Sequence, residues 1–213
     1  MIPAEQTALV LLAAGRSQRF DGADTDKLAA PFLDKPLALH VVTALEAVCF
    51  KERVAVVSGT VVDFAARGYQ VVANPEPARG LGRSLHFGIG AARDAGAEAA
   101  VVAFADMPRV TAAHIYRLLD YADGPGTILA SSNGTYPTPP ALFGAEHFDR
   151  LMHLEGDQTA LELIRTAHHV VTSKAELVDI DTVEDLERLR RLYGVEGALP
   201  PSDAIRDAAR RSD

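Results

Sequence analysis

The segment "AAVVAFADMP", residues 99–108, constrains the fold more than any other stretch of the chain. Its first residues are apolar without alternation, so a strand made from them buries both faces, as a central strand of a parallel sheet does when helices cover each side. The run stops at a carboxylate, Asp106, followed by Met107 and Pro108. A second apolar run, "TALVLL" over 7–12, ends as abruptly in Ala13, Ala14 and Gly15, with Arg16 and Arg19 close behind. "VAVVS" (54–58), "YQVVA" (69–73), "GTILASS", "HHVVT" and "LVDI" predict further short strands.

Helical periodicities alternate with these runs. "PLALHVVTALEAV" predicts a helix from Pro36 through Phe50, with Pro in its first turn and Cys49 as a buried core thiol. "GRSLHFGIGAARDAG" reads as a helix ending at Gly96, and Thr111 as the N-cap of "TAAHIYRLLDYA". Two short helices fall near 145–152 and 157–165, and Thr182 with Asp185 opens the amphipathic "TVEDLERLRRLY". "YPTPPALF" is expected to be extended but to lack ladder donors, because three of its residues are prolines. Strands joined by helices in this order predict an α/β fold with a mostly parallel twisted sheet, covered on both faces. One domain spans 1–193. From Gly194 the composition turns small, charged and Pro-bearing, so 194–213 is expected to be loosely attached or disordered.

A net charge of −8 argues against a nucleic-acid partner or an anionic membrane surface, since neither polyanion is drawn to such a field. No apolar run approaches the ~18 residues of a membrane helix. The segment "MIPAEQTALV" lacks the basic-then-apolar order of a signal peptide, so a cytoplasmic location is expected. His168 and His169 are adjacent and would point to opposite faces of a strand, and His147 and His153 are off the helical same-face spacing; surface or packing roles suit all four.

In open α/β sheets, ligands bind beyond the carboxyl ends of the strands. That rule selects residues 13–27 and 105–110. The first loop, "AAGRSQRF", lacks the second Gly of a serine-hydrolase elbow, two of the three glycines of a dinucleotide fingerprint, and the Gly-Lys-Ser/Thr of a P-loop. Its small residues let a ligand approach the backbone, Arg16 and Arg19 bring guanidinium forks suited to phosphate, and Lys27 can act as a point charge on a phosphate chain. Asp106 is placed to hold a Mg²⁺ ion that bridges to phosphates, because Mg²⁺ uses one or two protein carboxylates and keeps several waters. Taken singly, the first loop also fits an ordinary solvent loop and Asp106 a turn residue before Pro108. Together they favour nucleoside triphosphate chemistry.

"LAAGRSQRF", "DKLAAPFLDKPLALHVV" and "ADMP" resemble the MobA-like nucleotidyltransferases, and most closely their molybdenum-cofactor cytidylyltransferase branch. "NPEPARGLGRSL", "PPALFGAEHFDRLMHLEGDQTA" and "DIDTVEDL" extend the likeness in order over roughly residues 8–190. The resemblance implies a three-layer, Rossmann-like nucleotidyltransferase fold that transfers a nucleoside monophosphate to a phosphorylated acceptor and releases pyrophosphate. Carried over, Leu12, Ala13, Ala14 and Gly15, with Arg16 and Ser17, would line the nucleotide, and Gly80, Gly82 and Ser84 would sit beside it. Arg19 and Lys27 would hold the triphosphate, and Asp106 the Mg²⁺. Asp157 would lie on the acceptor or metal side and Pro140 on the acceptor side. Ala14, where guanylyl-transferring relatives tend to have Gly, goes with CTP. The implied acceptor is molybdopterin and the implied protein partner a molybdoenzyme or its insertion chaperone. The sequence departs from the family pattern at Asp21 with the acidic "DGADTDK", at Thr159, and at Thr138-Pro139-Pro140.

The expected reaction is in-line attack of the acceptor's phosphate oxygen on the α-phosphorus, with no covalent protein intermediate and no obligatory general base, since a phosphate nucleophile is already ionised near neutral pH. A sugar-1-phosphate nucleotidyltransferase using UTP or dTTP, and a non-catalytic nucleotide-binding protein, are the alternative readings. Asp157, Asp179 and Asp181 are the candidates for a second metal ligand, with Asp157 preferred.

Overall fold

The computed structural model describes residues 1–15, 20, 26–154 and 158–194, side chains at 158–161 excepted. Strand β1 (Thr7–Ala13) leads to a small hairpin of β2 (Pro31–Phe32) and β3 (Lys35–Pro36), then to α1 (Ala38–Leu45) and β4 (Glu52–Val57). Next come β5 (Gln70–Ala73), α2 (Leu81–Asp94), β6 (Ala99–Phe104), α3 (Ala112–Tyr121) and β7 (Ile128–Ser132). The chain continues through β8 (Pro137–Gly144), α4 (Phe148–Met152), α5 (Gln158–Arg165), β9 (His168–Val171) and α6 (Val183–Leu192). The described residues form a seven-stranded sheet in the order β5-β4-β1-β6-β8-β7-β9. β1 pairs parallel with both β4 and β6, and only β8 runs antiparallel to its neighbours.

Residues alternate cleanly along β1. Leu9, Leu11 and Ala13 pack into a core with Val41, Val42 and Leu45 of α1 and Ile115 and Leu118 of α3. Ala8, Val10, Leu12 and Ala14 face the other way, against Leu85, Ile89 and Ala92 of α2 and the buried faces of α4 and α5. Both faces of the central strands are therefore covered, giving the three-layer α/β arrangement that an unalternating apolar strand requires. Each fully buried Leu or Ile of these layers contributes roughly 1.5–3 kcal/mol by leaving water. A third, smaller cluster joins Phe20, Ala30, Phe32 and Leu37 to Ile180, Leu186 and Leu189 of the last helical region.

α2 crosses the sheet at its closest through Gly88, where a Cβ would stand 2.3 Å from Val10 Cγ1 and 3.0 Å from Val56 Cγ2. Both predicted caps form: Thr111 Oγ1 accepts from the His114 amide at 3.2 Å, and Thr182 and Asp185 make a reciprocal capping box. α2 gives way at Gly96, whose φ of +67° is the left-handed conformation glycine takes at little cost. Among the described residues no helix is long and apolar enough to cross a membrane.

Several local expectations are corrected. The helix expected over 36–50 is confined to Ala38–Leu45, because Pro36 is drawn into the hairpin with Pro31. The helix ends before Cys49, which is exposed, and Val48 takes the buried position instead. The proline-rich "YPTPPALF" is a ladder strand after all. β6 pairs only with Ala141–Gly144, beyond the prolines. On the β7 side the register jumps from Ala130↔Ala141 to Ser131↔Thr138, leaving Pro139 and Pro140, joined by a cis peptide bond, as a bulge that needs no ladder donor. "LVDI" forms no strand; the Ile180 amide donates instead to the Asp106 carbonyl at 3.0 Å. The 194–213 tail lies outside the described residues beyond Gly194.

Gly88 and Gly144 test how tightly the layers are built. At Gly144 a Cβ would meet the backbone carbonyl oxygen of Pro125 at 2.2 Å, where no side chain can rotate away. Gly144→Ala is expected to lower the stability measured by urea unfolding by about 3 kcal/mol or more, and Gly88→Ala, whose neighbours are valine methyls, by about 1–3 kcal/mol. A smaller loss in Gly144→Ala than in Gly88→Ala would contradict this packing.

Candidate active site

The carboxyl ends of β1 and β6 lie side by side, Leu12 being paired with Phe104. At the end of β1 the side chains of Leu12, Ala13 and Ala14 are buried in the two cores, so what these residues offer a ligand is backbone. Gly15 is exposed, and a Cβ there would have nothing within 4 Å. Arg16, Ser17, Arg19 and Asp157 lie outside the described residues. Phe20 is fully buried in a cluster with Leu37 and Ile180.

Lys27 opens a short 3₁₀ turn, Lys27–Ala29, whose position is set by Asp26. One Asp26 oxygen accepts from the Leu28 amide at 3.0 Å; the other accepts from the Thr60 hydroxyl at 2.7 Å and the Val61 amide at 2.9 Å. Thus fixed, the Lys27 ammonium stands 2.7 Å from Asp106 Oδ2 and 3.1 Å from Asp181 Oδ1, its side chain only 6% exposed. Burial alone would draw this ammonium towards neutrality, but the Asp106 and Asp181 carboxylates outweigh it and hold its pKa above the ordinary lysine value. Asp106 is displaced the other way from the usual ion-pair pattern. Burial pushes its pKa up, Lys27 pulls it back, and the negative charges of Asp179 and Asp181 raise it again.

Negative charge therefore exceeds positive here among the described residues, and Asp106 Oδ1, though buried, accepts no hydrogen bond from any of them. A buried, unpartnered carboxylate oxygen in a field of surplus negative charge fits a divalent cation. No three His, Cys, Asp or Glu side chains form a ready metal cage among the described residues.

The other wall is the start of α2. Gly80 has φ +85°, Gly82 is buried, and Ser84 is 6% exposed. The Ser84 oxygen accepts from Asn74 Nδ2 at 3.0 Å, and Asn74 in turn accepts from the Glu76 amide at 2.9 Å. Asn74, 2% exposed, thereby ties the end of β5 to the first turn of α2. At Pro140, the residue expected on the acceptor side, the buried carbonyl accepts from the Ser131 hydroxyl at 2.6 Å. The Ser131 oxygen lies 2.6 Å from His114 Nε2, and Arg117 Nη2 donates to His114 Nδ1 at 2.9 Å. An arginine can only donate, so Nδ1 is the acceptor and Nε2 carries the proton in a neutral imidazole. Burial lowers the His114 pKa, Glu176 opposes this and Arg117 reinforces it.

Asp26, Asn74 and the Ser131–His114 pair were not singled out by their sequence, and Asp181 was expected only as a candidate second metal ligand, not as a partner of Lys27. Asp26 had only the adjacent Lys27 to signal it. Asp181 lay in a stretch that also reads as an ordinary start to a helix. Among the histidines, His147 Nε2 faces the Gly126 carbonyl at 2.9 Å and His169 Nε2 the Ile164 carbonyl at 3.1 Å, in line with packing roles.

The MobA-like NTP transferase domain matches residues 9–171. The purine catabolism protein PucB of Bacillus subtilis (strain 168) is 33% identical over 119 residues, 53% of this chain and 57% of that protein. The match thus spans little more than half the length of that curated relative. A nucleotidyl transferase from Methanothermobacter thermautotroptrophicus has a TM-score of 0.73 at 25% identity, with 88% of this chain and 97% of that chain covered. Rv0371c from Mycobacterium tuberculosis H37Rv has a TM-score of 0.73 at 23% identity, covering 88% of this chain and 99% of that chain. A manganese complex of Rv0371c shares the fold at a TM-score of 0.69 and 22% identity, covering 86% of this chain and 97% of that chain. The architecture is that of the nucleotidyltransferases.

The buried His114 predicts a pH effect with a definite sign. Its folded pKa is below the ordinary value of 6.5, so the unfolded chain takes up a proton first as the pH falls. Stability contributed by neutral His114 is complete above 6.5 and is lost as the pH drops below it towards the folded pKa. His114→Gln, which keeps a donor towards Ser131 but cannot ionise, is expected to remove this component. The stability difference between the two proteins should then change with pH below that value, by no more than about 1.4 kcal/mol per pH unit. Parallel curves from urea unfolding across this range would contradict the assignment.

Proposed function

The chain belongs to the MobA-like NTP transferase family, and from that premise we propose that it transfers a nucleoside monophosphate, CMP from CTP, to the phosphate of a small acceptor such as molybdopterin, with release of pyrophosphate. The observation that carries this reading is Asp106, held at the carboxyl end of β6 with one oxygen on Lys27 and the other buried and, among the described residues, unpartnered. Ala14 in the place of a family glycine supports cytidine. The product would pass to a molybdoenzyme or its insertion chaperone.

Each residue has a definite task in this reaction. The backbone of Leu12 to Gly15 receives the base and ribose, and Gly80, Gly82 and Ser84 shape the opposite wall. Arg19 and Lys27 neutralise the phosphates, and Lys27 stays cationic across the working pH range because Asp106 and Asp181 hold its proton. Asp106, with Asp157 as the second candidate, would hold Mg²⁺. When bound, that ion supplies charge stabilisation for the phosphates and the departing pyrophosphate. A divalent ion is also consistent with the manganese complex of the Mycobacterium relative. The protein's remaining contribution is alignment: it fixes the acceptor oxygen behind the α-phosphorus, where proximity and preorganised charge lower the barrier.

Calorimetric titration of each Mg²⁺–nucleoside triphosphate, followed by pyrophosphate release on addition of molybdopterin, tests the proposal. CTP is expected to bind in preference to GTP, UTP and dTTP. Asp106→Ala, whose Lys27 retains Asp181 as a partner, should lose turnover by about 10³-fold or more and bind CTP with little dependence on Mg²⁺. Preference for UTP or dTTP would instead mark a sugar-1-phosphate nucleotidyltransferase. Nucleotide binding without pyrophosphate release from any acceptor would mark a binding protein.

A further inference from the structure

A pocket of about 420 Å³ opens beside the first turns of α2, lined by Arg79, Gly82, Arg83 and His86 on that side and by Met152, His153 and Leu154 on the other. It is far larger than a lone phosphate needs and lies within the ~300–1,000 Å³ of small-molecule sites. Its walls combine four basic side chains with two apolar ones. Arg83 is held firmly: its guanidinium lies 4.5 Å from the centroid of the Phe87 ring and 2.9 Å from a Glu76 carboxylate oxygen. Its Nε is nevertheless buried and has no hydrogen-bond partner among the described residues. Arg79 pairs with the same Glu76 at 3.4 Å. The two imidazoles are oriented alike. His86 Nδ1 lies 2.9 Å from the Met152 carbonyl and His153 Nδ1 2.6 Å from the Asp149 carbonyl. A carbonyl can only accept, so Nδ1 carries the proton on both rings, and Nε2 is the atom left for a ligand.

Resting on the nucleotidyltransferase reading above, we infer that this pocket seats the acceptor, an organic phosphomonoester whose phosphate meets Arg83 and Arg79 and whose apolar body lies on Met152 and Leu154. Three features point to an anion. An orphaned guanidinium donor is costly unless a ligand completes it, Arg79 and Arg83 present planar forks suited to phosphate oxygens, and the amino-terminal end of α2 favours negative charge. Gly82 belongs to both the pocket and the wall assigned to the nucleotide, so the acceptor borders the nucleotide, and transfer requires its phosphate oxygen to reach the α-phosphorus. There an acceptor oxygen forms the new P–O bond as the bond from the α-phosphorus to the bridging oxygen breaks, and pyrophosphate leaves with that electron pair. Glu76 occupies the two arginines until the acceptor arrives and competes with it.

The probe for this site is 1-naphthyl phosphate, with 1-naphthol as its uncharged counterpart, titrated by NMR into the full chain in the presence of Mg²⁺–CTP. The phosphate is expected to bind without displacing CTP, and 1-naphthol to bind far more weakly. Arg83→Met should weaken the phosphate about tenfold and Arg83→Lys less, as loss of a charge-assisted contact implies. Glu76→Gln, which removes the competing carboxylate, should tighten it severalfold. Equal affinities for wild type, Arg83→Met and Glu76→Gln, equal binding of 1-naphthol, or displacement of the probe by CTP would each overturn the inference. Failure of CTP to bind while the probe still depends on Arg83 would remove the nucleotidyltransferase reading and leave an anion site. Binding of CTP with no Arg83-dependent binding of the probe would do the reverse.

Discussion

The buried contact of Lys27 with Asp106 and Asp181 joins three separated parts of the chain: the turn after the first loop, the end of the central strand, and the segment that precedes α6. An ammonium 6% exposed is tolerable only with carboxylates against it. Conversely, the carboxylates tolerate burial only with the ammonium or another cation among them. This mutual requirement fixes where three loops meet. Among the described residues it leaves the cluster negative and one Asp106 oxygen unpartnered, a combination that favours a divalent cation.

The rest of the molecule supports that meeting point. β1 and β6 end together because they are paired in parallel register, so the loops that follow them emerge at the same edge. α2 approaches closely enough at Gly88 to bring its own first turn to the same edge. The smaller apolar cluster, from Phe20 to Ile180 and Leu186, holds the outer loops from behind. Asp26 and Asn74 act in the same way by hydrogen bonds, each binding two chain segments that have no ladder between them. Polar groups near the site thus have two kinds of work: some fix backbone, and a few are left with unused capacity facing a ligand.

This division separates the two halves of the proposed reaction. In that proposal the nucleotide would meet backbone and a cation-ready carboxylate, and the acceptor would meet the arginines, imidazoles and apolar floor of the α2 pocket. Glu76 links them. Its amide is bonded by Asn74, which also holds Ser84 on the nucleotide wall, while its carboxylate holds Arg79 and Arg83. An acceptor that displaces the Glu76 carboxylate therefore acts on a residue whose backbone is tied to the nucleotide wall.

By itself the sequence determined the layers, the parallel core and the two strand ends at which the proposed chemistry is placed. These follow from local properties: an apolar run without alternation such as Val101–Phe104 must be covered on both sides, and Ala13 to Gly15 mark where β1 stops. It determined the caps at Thr111 and Thr182 for the same reason, since a hydroxyl three residues from an orphan amide is a local relation. Tertiary structure decided the rest. Whether the proline-rich segment could join the sheet depended on which residues of β8 face β6, and Ala141 to Gly144 face it while Pro139 and Pro140 bulge away. Cys49 fell outside the core because α1 ends at Leu45 and Val48 takes the buried position in the turn that follows. Asp181, 154 residues from Lys27, reached the ammonium only because the 177–180 segment leans on the Asp106 loop instead of forming a strand. Contacts between distant residues depend on the packing of everything between them, and no spacing within a motif encodes that.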